Sequence, residues 1–541
     1  MQLVIASEAK QSRILGEERR LLRRFTPRND SLRLFLEVAS NCIKGYKYFV
    51  AKKGEYGIIE YKIGAGLRFS AMTDAKKTVL FDRHAALAGK SQIVPFAGWM
   101  MPLWYQSQSR EHNAVRKTAG LFDCTHMAVL QISGKDALNF LNILTTNDVS
   151  MLKPGKAQYS YILNSVGDII DDVIIYCIVD DPLRRGRTAA SNYMMVVNAA
   201  NENNVKNWVQ KVRTEKVLID SSWQFDPIRD NASKMPDGHQ RRPVSNGVEI
   251  KDLKDLSLPD ARVDIALQGP ASAECLKNIF GADFSKLKSF TFTQVKAKGL
   301  DVIISATGYT GAKVSFELFV HPLKAPLLWD TILEKGKNLS VVPCGLGARD
   351  SLRIEAGLPL YGHELAGEFN ISPFQAGYGW AVKLQKKNFT PAPICTGEAN
   401  LESAEKAASA QSFFAQPQSK LVRGFIGKEA IAKKAADFQT EVARLKFDGS
   451  KGIRPIRQFD GILNANGVCI GYVLSCAGIN DKQIVLALIE KQYNIMGNSV
   501  GVYYLARNQG HIQQGRKEKV KAGESLAANL VGKVVERFEK F

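Results

Sequence analysis

The last part of the chain, from about residue 421 onward, is a succession of short apolar runs separated by turn residues. Typical runs are VARLKF, GVCIGYVLS, QIVLALI and SVGVYYLAR, with Gly, Asn and Asp between them. Short runs of β-branched and aromatic residues with such turns indicate strands joined by hairpins rather than helices. This pattern constrains the fold more than any other feature, and it predicts a small antiparallel β-barrel or sandwich for residues 421–541.

The preceding region mixes strand and helix patterns. YSYILN, IIDDVIIYCIV and YMMVVNAAN are rich in β-formers, whereas ALNFLNIL carries apolar residues at helical spacing. HNAVRKTAGLFD predicts a helix that ends at Gly120, and VDIALQGPASAECLKNIF predicts a strand, a Gly-Pro turn and a helix. Hairpins alternating with helices favour the α+β class over a doubly wound parallel sheet.

A chain of 541 residues is too long for one hydrophobic core, so we expect several domains. The division that we predict is an N-terminal extension at 1–75, a two-lobed region at 76–385, a flexible insertion at 386–420 and the C-terminal β-barrel domain at 421–541. Within the two-lobed region, polar stretches predict loop insertions near 180–190 and at 221–258.

Charge and composition exclude several classes of function. The net charge is +20, but the basic runs lie mostly in segments that resemble insertions or tails, and none carries an RNA-binding aromatic motif. We therefore expect no nucleic-acid partner. No apolar run of about 18 residues predicts a membrane span. The scattered histidines and cysteines lack a metal-ligand spacing such as HExxH, so we expect no metal, and the cysteines indicate reduced thiols of an intracellular protein.

One acidic residue has no obvious structural reason. Asp148 follows the apolar helix ALNFLNIL and precedes the apolar pair Met151 and Leu152. A carboxylate between a buried helix and apolar residues is poorly hydrated, which strengthens its electrostatic effects. Asp148 is therefore a candidate functional group.

Two further stretches contain candidate charged residues. In CGLGARDSLRIEAGLPLYGHEL, Arg349 and Arg353 are one helical turn apart and could share a face. From composition alone we favour the structural alternative, in which Asp350 and Glu355 neutralise them as an ion-pair cluster. Glu317, in SFELF, alternates with apolar residues on a predicted strand, where a lone acid more often faces solvent.

The order and length of several motifs resemble one known family. They are PFAGWMMP (95–102), EHNAVRKTAGLFDCTHM (111–127), LTTNDV (144–149), PGKAQYSYILNSVGDIIDDVIIY (154–176), VVNAAN (196–201), ALQGP (266–270), TGYTG (307–311), GLGARDSLRIEAGLPLYGHEL (345–365), GYGWAVKL (377–384) and FIGKEAI (425–431). From about residue 78 to its end, the chain resembles the T-protein family of the glycine cleavage system, which are folate-dependent aminomethyltransferases.

The resemblance implies a three-domain ring-like α+β fold with a central channel that holds tetrahydrofolate. It implies that the donor partner is a lipoyl-carrying H-protein, whose arm delivers an aminomethyl group. The products would be methylenetetrahydrofolate, ammonia and the dihydrolipoyl arm. Tetrahydrofolate would serve as co-substrate, without a metal or a membrane. The location would be the bacterial cytoplasm, or the mitochondrial matrix if the source is eukaryotic.

The resemblance also implies roles for individual residues. Asp148 matches the family's catalytic acid, which would orient the attacking folate nitrogen and stabilise developing positive charge. The residues that match substrate-binding positions are Glu317 and Arg349 on the pterin side, Tyr309 and Met127 as channel lining, and Arg457 near the glutamate tail of folate. The basic excess would help attract polyglutamylated folate and an acidic H-protein.

Two loops depart from the family pattern. This chain has GYTGAKVSFEL where the family usually has GYTGEDGFEL, and SCAGINDK (475–482) where it has SGTFSPTLGK. An alternative is therefore a related folate-dependent demethylase or one-carbon transferase, or a non-catalytic folate-binding protein, on the same fold. A basic nucleic-acid-binding module is a third alternative, whose affinity would fall steeply with salt.

Overall fold

The computed structural model describes residues 3–4, 49–50, 58–63, 67–72, 75–89, 92–178, 191–214, 247–386, 424–449, 453–539 and 541. Up to residue 117, the elements in chain order are β1 (Leu3–Val4), β2 (Phe49–Val50), β3 (Ile58–Ile63), β4 (Leu67–Met72), β5 (Lys76–Lys77), α1 (Phe81–Leu87), β6 (Ile93–Phe96), β7 (Trp99–Pro102) and α2 (Gln108–Lys117). The strands β1 to β4 pair in the order β1-β4-β3-β2, so part of the N-terminal extension has a regular backbone. The strands β5, β6 and β7 form a second small sheet.

The next elements build the first large sheet. They are β8 (Ala119–Asp123), β9 (Ala128–Gly134), α3 (Ala137–Leu144), β10 (Ala157–Leu163), β11 (Ile169–Cys177), β12 (Ser191–Val197), α4 (Glu202–Arg213) and β13 (Glu249–Asp252). The sheet is antiparallel in the order β10-β11-β12-β9-β13, and β8 belongs to the second sheet. Side chains alternate between the two faces of a strand. One face packs on α3 and α4 through residues such as Leu130, Ile132, Phe140, Leu141 and Val205.

The second large sheet follows. Its elements are β14 (Val263–Gln268), α5 (Ser272–Phe280), β15 (Phe292–Ala297), β16 (Leu300–Ser305), β17 (Ser315–Val320), α6 (Ala325–Lys335), β18 (Val341–Cys344) and α7 (Leu346–Glu355). The strand order is β15-β16-β17-β14-β8-β18, and β18 runs parallel to β8. One face packs on α5 and α6 around the fully buried Trp329. The opposite face approaches the first sheet and α7, and it carries the polar residues discussed below.

The C-terminal region is a closed antiparallel barrel, which confirms the prediction from its short strands. Its elements are α8 (Lys428–Ala436), β19 (Thr440–Asp448), β20 (Gly461–Leu463), β21 (Cys469–Ile479), β22 (Lys482–Glu490), β23 (Ser499–Tyr503), α9 (Gln509–Gln513) and β24 (Leu530–Val535). The barrel order is β19-β22-β21-β20-β23-β24. Buried residues such as Leu445, Phe447, Val473, Val485 and Val500 fill its interior.

The predicted helix end at Gly120 is wrong. Helix α2 ends at Lys117, and Gly120 lies inside strand β8. Glycine is needed there for packing, because a Cβ atom would lie 2.5 Å from Cγ2 of Val115 and 2.6 Å from Sγ of Cys344. A glycine just after a helix can therefore indicate a close approach of neighbouring elements rather than a cap.

The predicted loop insertion at 221–258 is partly wrong. Strand β13 (Glu249–Asp252) pairs with β9 at the edge of the first sheet, so the irregular stretch ends before Glu249. The preceding residues 215–246, and the predicted insertions near 180–190 and at 386–420, lie almost entirely outside the described residues. The domain boundaries that we placed on these stretches remain predictions.

The barrel packs directly against both lobes. The apolar side chains of Tyr161 and Leu163 on β10 share one buried cluster with Leu474 and Leu486 on the barrel. Helix α7 joins the barrel through Arg353, whose Nη2 donates a hydrogen bond to Oγ of Ser475 at 2.8 Å. Within the described residues, no helix is long and apolar enough to cross a membrane.

Candidate active site

Asp148 begins a short 3-10 turn, Val149–Met151, four residues after α3 ends. Its Oδ1 accepts hydrogen bonds from the backbone N–H of Ser150 at 3.0 Å and from the Ser150 hydroxyl at 2.5 Å. Its own backbone N–H donates to Oδ1 of Asn147 at 2.8 Å, and Asn147 in turn donates to the carbonyl of Tyr159. Asp148 is half-buried. The carboxylate is therefore held in one orientation but is still reachable by a ligand.

The segment before the predicted 386–420 insertion covers the loop of Asp148. The Thr146 hydroxyl donates to the carbonyl of Ala381 at 2.9 Å, and Nζ of Lys386 donates to the carbonyl oxygens of Asn142 and Thr145. Burial lowers the pKa of Lys386 to about 7, although the nearby charge of Asp148 opposes this shift. An amine that is only partly charged at neutral pH is therefore placed close to the candidate catalytic carboxylate.

Glu317 does not face solvent, contrary to what a lone acid on a strand suggests. It lies on β17 and is only 8% exposed. Its Oε2 accepts hydrogen bonds from the Thr307 hydroxyl at 2.5 Å and from the Tyr176 hydroxyl at 3.3 Å. Among the described residues, no hydrogen bond reaches its Oε1. One oxygen of a buried carboxylate is therefore open to a ligand donor.

Arg349 lies on α7, within electrostatic range of Glu317. Its Nη1 is 3.2 Å from Sγ of Cys124, and its guanidinium lies over the ring of Tyr309 at 5.2 Å from the centroid. No salt bridge, defined as N···O within 4.0 Å, joins Arg349 to a carboxylate in the described part of the chain. The cation thus has most of its donors available.

Tyr309 and Met127 both lie beside these groups. The Tyr309 hydroxyl donates to the carbonyl of Pro359 at 2.5 Å, and burial raises the pKa of Tyr309 well above its ordinary value. Met127 is half-buried and packs against two apolar clusters, one between the sheets and one beneath α7. Their positions agree with lining roles, although contacts of this kind are also typical of core residues.

The ion-pair alternative for α7 is correct for one arginine and not for the other. Arg353 is 1% exposed and binds Asp350 through Nε and Glu364 through Nη1. Glu355 turns away and pairs with Arg116 and His112 on α2. Arg353 is therefore paired with carboxylates, whereas Arg349 on the preceding turn has no salt bridge to a carboxylate among the described residues.

Comparison with known proteins decides the family. A family model described as the GCVT N-terminal domain matches residues 80–386, more than half of the chain. The chain belongs to the glycine cleavage T-protein family. An aminomethyltransferase of Thermoanaerobacter pseudethanolicus is 33% identical over 435 residues, which cover 80% of this chain and 94% of that relative.

A second relative agrees with this family assignment, and one solved structure agrees with the fold. An aminomethyltransferase of Halalkalibacterium halodurans is 39% identical over 319 residues, covering 59% of this chain and 73% of the relative. The crystal structure of glycine cleavage system aminomethyltransferase T from Bartonella henselae is 23% identical, with a TM-score of 0.58, and the match covers 86% of this chain and 99% of that chain. At this identity it supports the fold alone. The chain is an aminomethyltransferase with the α+β fold of a T-protein.

The predicted T-protein site residues form two separate groups, which lie near two different points of strand β11. One group is Asp148, and the other is Glu317 with Arg349 and Tyr309. On β11, the Asp172 carboxylate accepts a hydrogen bond from Tyr159, which is next to the loop of Asp148. Four positions further, Tyr176 contacts Glu317. A rise of about 3.3 Å per residue puts these two points about 13 Å apart. The described contacts join Glu317, Arg349 and Tyr309, but they do not join this group to Asp148.

Arg457 lies on the barrel, apart from both groups. It is exposed in the loop before β20, and its backbone N–H donates to Oδ2 of Asp460 at 2.9 Å. Arg454 and His511 are near enough for the Arg457 charge to lower the pKa of each, although burial is the larger cause for both. Arg457 therefore belongs to a basic patch at the surface.

Two charged or titratable residues that lie beside the predicted site residues were not identified from the sequence. Asp264 lies buried next to Glu317, and Lys386 lies next to Asp148. The signal for Asp264 was present, since it interrupts the apolar run VDIAL on a predicted central strand. Lys386 gave no signal, because its partners are carbonyl groups far away in the sequence.

Two cavities lie close to α7. A cavity of about 280 Å³ is bordered by α2, α7 and the turn after β21, including Gln108, His112 and Asn480, and a void of about 10 Å³ adjoins Arg349. The larger cavity contacts none of the predicted site residues. No group of His, Cys, Asp or Glu with the arrangement of a metal site occurs among the described residues.

Proposed function

We propose that this aminomethyltransferase transfers the one-carbon unit of an aminomethyl-lipoyl H-protein to tetrahydrofolate, with release of ammonia. Membership of the T-protein family gives the reaction class, and the substrates are our proposal. The observation that carries it is Glu317, a buried acid with one oxygen open and a cation opposite. A pocket of this kind suits the donor-rich and acceptor-bearing edge of a reduced pterin.

Asp148 is the proposed catalytic residue. When the C–N bond of the aminomethyl group breaks and ammonia leaves, the carbon that stays on the lipoyl sulfur becomes electron-poor, and one folate nitrogen attacks it while losing its proton. The C–S bond then breaks to release the thiol of the dihydrolipoyl arm, and the second folate nitrogen attacks the resulting iminium-like carbon and closes the ring, so that the two folate protons end on ammonia and on the thiol. The attack by the first nitrogen is the step in which Asp148 acts. A half-buried carboxylate near that nitrogen orients it and stabilises the positive charge, and it can then accept the proton. The Ser150 donors hold one oxygen of Asp148, which supports a fixed orientation of the other.

Glu317 and Arg349 are the proposed pterin ligands. The Glu317 carboxylate would accept hydrogen bonds from the pyrimidine N–H and amino group, while Arg349 would orient Glu317 or bind the pterin carbonyl. Tyr309 and Met127 would line the channel, and Arg457 would lie near the glutamate tail. The basic patch around Arg457 would favour polyglutamylated forms and an acidic H-protein.

The setting of the reaction follows from the same proposal. The relatives described above come from bacteria, and we expect this enzyme to act in the cytoplasm of a bacterium. We expect catalysis without a metal ion, because the carboxylates of Asp148 and Glu317 and the guanidinium of Arg349 suffice to polarise the reacting groups.

The direct test uses the full-length enzyme with glycine-loaded H-protein. We expect methylenetetrahydrofolate to form at the same rate as ammonia when tetrahydrofolate is present, and ammonia release to slow strongly when it is omitted. Failure to form product with any H-protein, together with one-carbon transfer from a methylated amine, would contradict the proposal and favour a folate-dependent demethylase.

A further inference from the structure

A second carboxyl group is buried beside Glu317. In the register of β14 and β17, Ala266 lies opposite Glu317 and Asp264 lies opposite Phe319. Residues two positions apart on a strand share one face, so Asp264 and Glu317 are diagonal neighbours on the same side of the sheet. Asp264 is only 2% exposed. This face is the one that looks toward Arg349, whereas the opposite face packs on α5 and α6.

Asp264 is not fully satisfied by the protein around it. Its Oδ1 is buried and has no hydrogen-bond partner among the described residues. A buried polar atom without a partner costs about 1–3 kcal/mol, and a hydrogen bond to a bound ligand would recover this cost. A structural role as an ion pair does not apply, because no salt bridge of the described chain includes Asp264.

The charges on this face do not balance without a proton. Two carboxyl groups, Asp264 and Glu317, face the single guanidinium of Arg349. Burial raises the pKa of Asp264 well above its ordinary value, the neighbouring charge of Glu317 adds to this, and Arg349 opposes it. The other titratable groups that interact with Asp264 are Asp123, Cys124 and Tyr176. Two carboxyl groups on one face opposite a single guanidinium therefore favour the protonated form of Asp264, and in that form Asp264 is a hydrogen-bond donor.

We propose that Asp264 is a second pterin-binding carboxyl group, which donates a hydrogen bond to the 4-oxo group while Glu317 accepts hydrogen bonds from the N3–H and the 2-amino group. This inference rests on the proposed function of the site. The neutral Asp264 presents one donor beside the open Oε1 of Glu317, whose two lone pairs can accept both donors of that pterin edge. This arrangement is the complement of the one acceptor and two donors on that edge. The pair thus sets specificity for 4-oxo over 4-amino pteridines.

The first test measures tetrahydrofolate binding by calorimetry to wild type, Asp264→Leu and Asp264→Asn. Leucine has the same branched heavy-atom skeleton as aspartate but no donor, so we expect the Kd of Asp264→Leu to rise by about 10-fold to 100-fold, because the ligand carbonyl loses its partner. Asparagine keeps a donor, and its Kd should stay within about 3-fold of wild type. Asp301→Asn, on the same sheet but near the surface, is the matched control. A folded Asp264→Leu protein with wild-type affinity would overturn the proposal.

A second test does not need the leucine variant to fold. Wild type should bind tetrahydrofolate more tightly than the corresponding 2,4-diamino analogue, because the Asp264 donor opposes the donor of a 4-amino group. In Asp264→Asn the amide can rotate to present its oxygen, so this preference should shrink several-fold. An identical preference in wild type and Asp264→Asn would overturn the inference while leaving the proposed function intact. A wild-type enzyme that binds no tetrahydrofolate would contradict both.

Discussion

The ammonium group of Lys386 lies 2.5 Å from the carbonyl oxygen of Thr145, three residues before Asp148. It also donates to the carbonyl of Asn142 at 2.8 Å, so it binds two carbonyl groups at the C-terminal end of α3. A cation at this end of a helix interacts favourably with the helix dipole. Lys386 therefore positions the loop that carries the candidate catalytic acid.

Replacing Lys386 by methionine should destabilise this loop. Two carbonyl groups lose a donor, and we expect the free energy of unfolding to fall by about 1–2 kcal/mol in urea titrations. Ammonia release should fall as well, because Asp148 loses its fixed position. Lys383→Met, at an exposed position of the same segment, is the control and should change neither quantity. Unchanged turnover in Lys386→Met would show that Lys386 has no positioning role.

The same lysine predicts a pH dependence of stability. Its pKa is lowered to about 7 in the folded protein, against an ordinary value of 10.5. Between these two pH values the unfolded chain binds the proton and the folded chain does not, so this group makes stability rise with pH from about 7 upward. In thermal melts at increasing pH, the Tm of Lys386→Met should therefore rise less above about pH 7 than the Tm of wild type. A rise of the same size in wild type and variant would contradict the assignment.

The ion pair between Arg353 and Glu364 should be the strongest electrostatic contact between α7 and the segment that follows it. Both side chains are almost fully buried, with 1% and 0% exposure. Removing one partner of a buried pair leaves an uncompensated charge, so Glu364→Gln should cost about 3–5 kcal/mol in the free energy of unfolding. Asp350→Asn breaks the other contact of Arg353, but Asp350 is 54% exposed. The control Asp350→Asn should therefore lower the free energy of unfolding by at most about 1 kcal/mol. An equal decrease in Glu364→Gln and Asp350→Asn would contradict the prediction.

Glu317→Gln tests the pterin side of the site. The variant keeps the volume of the side chain and one acceptor, but it loses the charge that favours donors of the ligand. We expect the Kd for tetrahydrofolate to rise by about 10-fold or more, since hydrogen bonds to charged groups contribute about 1.5–3 kcal/mol. At saturating folate, kcat should change much less. Glu334→Gln, an exposed substitution on α6, serves as the control, and an unchanged Kd in Glu317→Gln would exclude direct pterin binding.

The sequence predicted the fold where local patterns and tertiary structure agree. The short strands of the C-terminal barrel have local signals, and the structure contains them. Gly120 was misassigned as a helix end because the need for glycine comes from Val115 and Cys344, and Cys344 is more than 200 residues away in the sequence. Close approach between distant segments has no local signature.

The candidate site, like the fold, could be predicted from sequence motifs but not from contacts between distant segments. Motif resemblance selected Glu317 and Arg349, and the structure brings them together with Tyr309. Composition alone favoured an ion-pair cluster for both arginines of α7, and it could not separate Arg349 from Arg353, because the partner that distinguishes them, Glu364, lies on a different segment. The burial of Asp264 likewise depends on the pairing of β14 with β17.

Asp148 is the proposed catalytic carboxylate, and Asp148→Asn tests this role most directly. The amide introduced by this substitution would keep an oxygen that accepts from Ser150, so the loop should retain its shape. The matched control is Asp255→Asn, because Oδ1 of Asp255 accepts from the N–H and hydroxyl of Ser257 in the same way at an exposed turn. With aminomethyl-loaded H-protein and tetrahydrofolate, the account predicts that Asp148→Asn lowers the rate of ammonia release by about 100-fold or more while the Kd for folate stays near wild type. Turnover by Asp148→Asn equal to that of Asp255→Asn would contradict it.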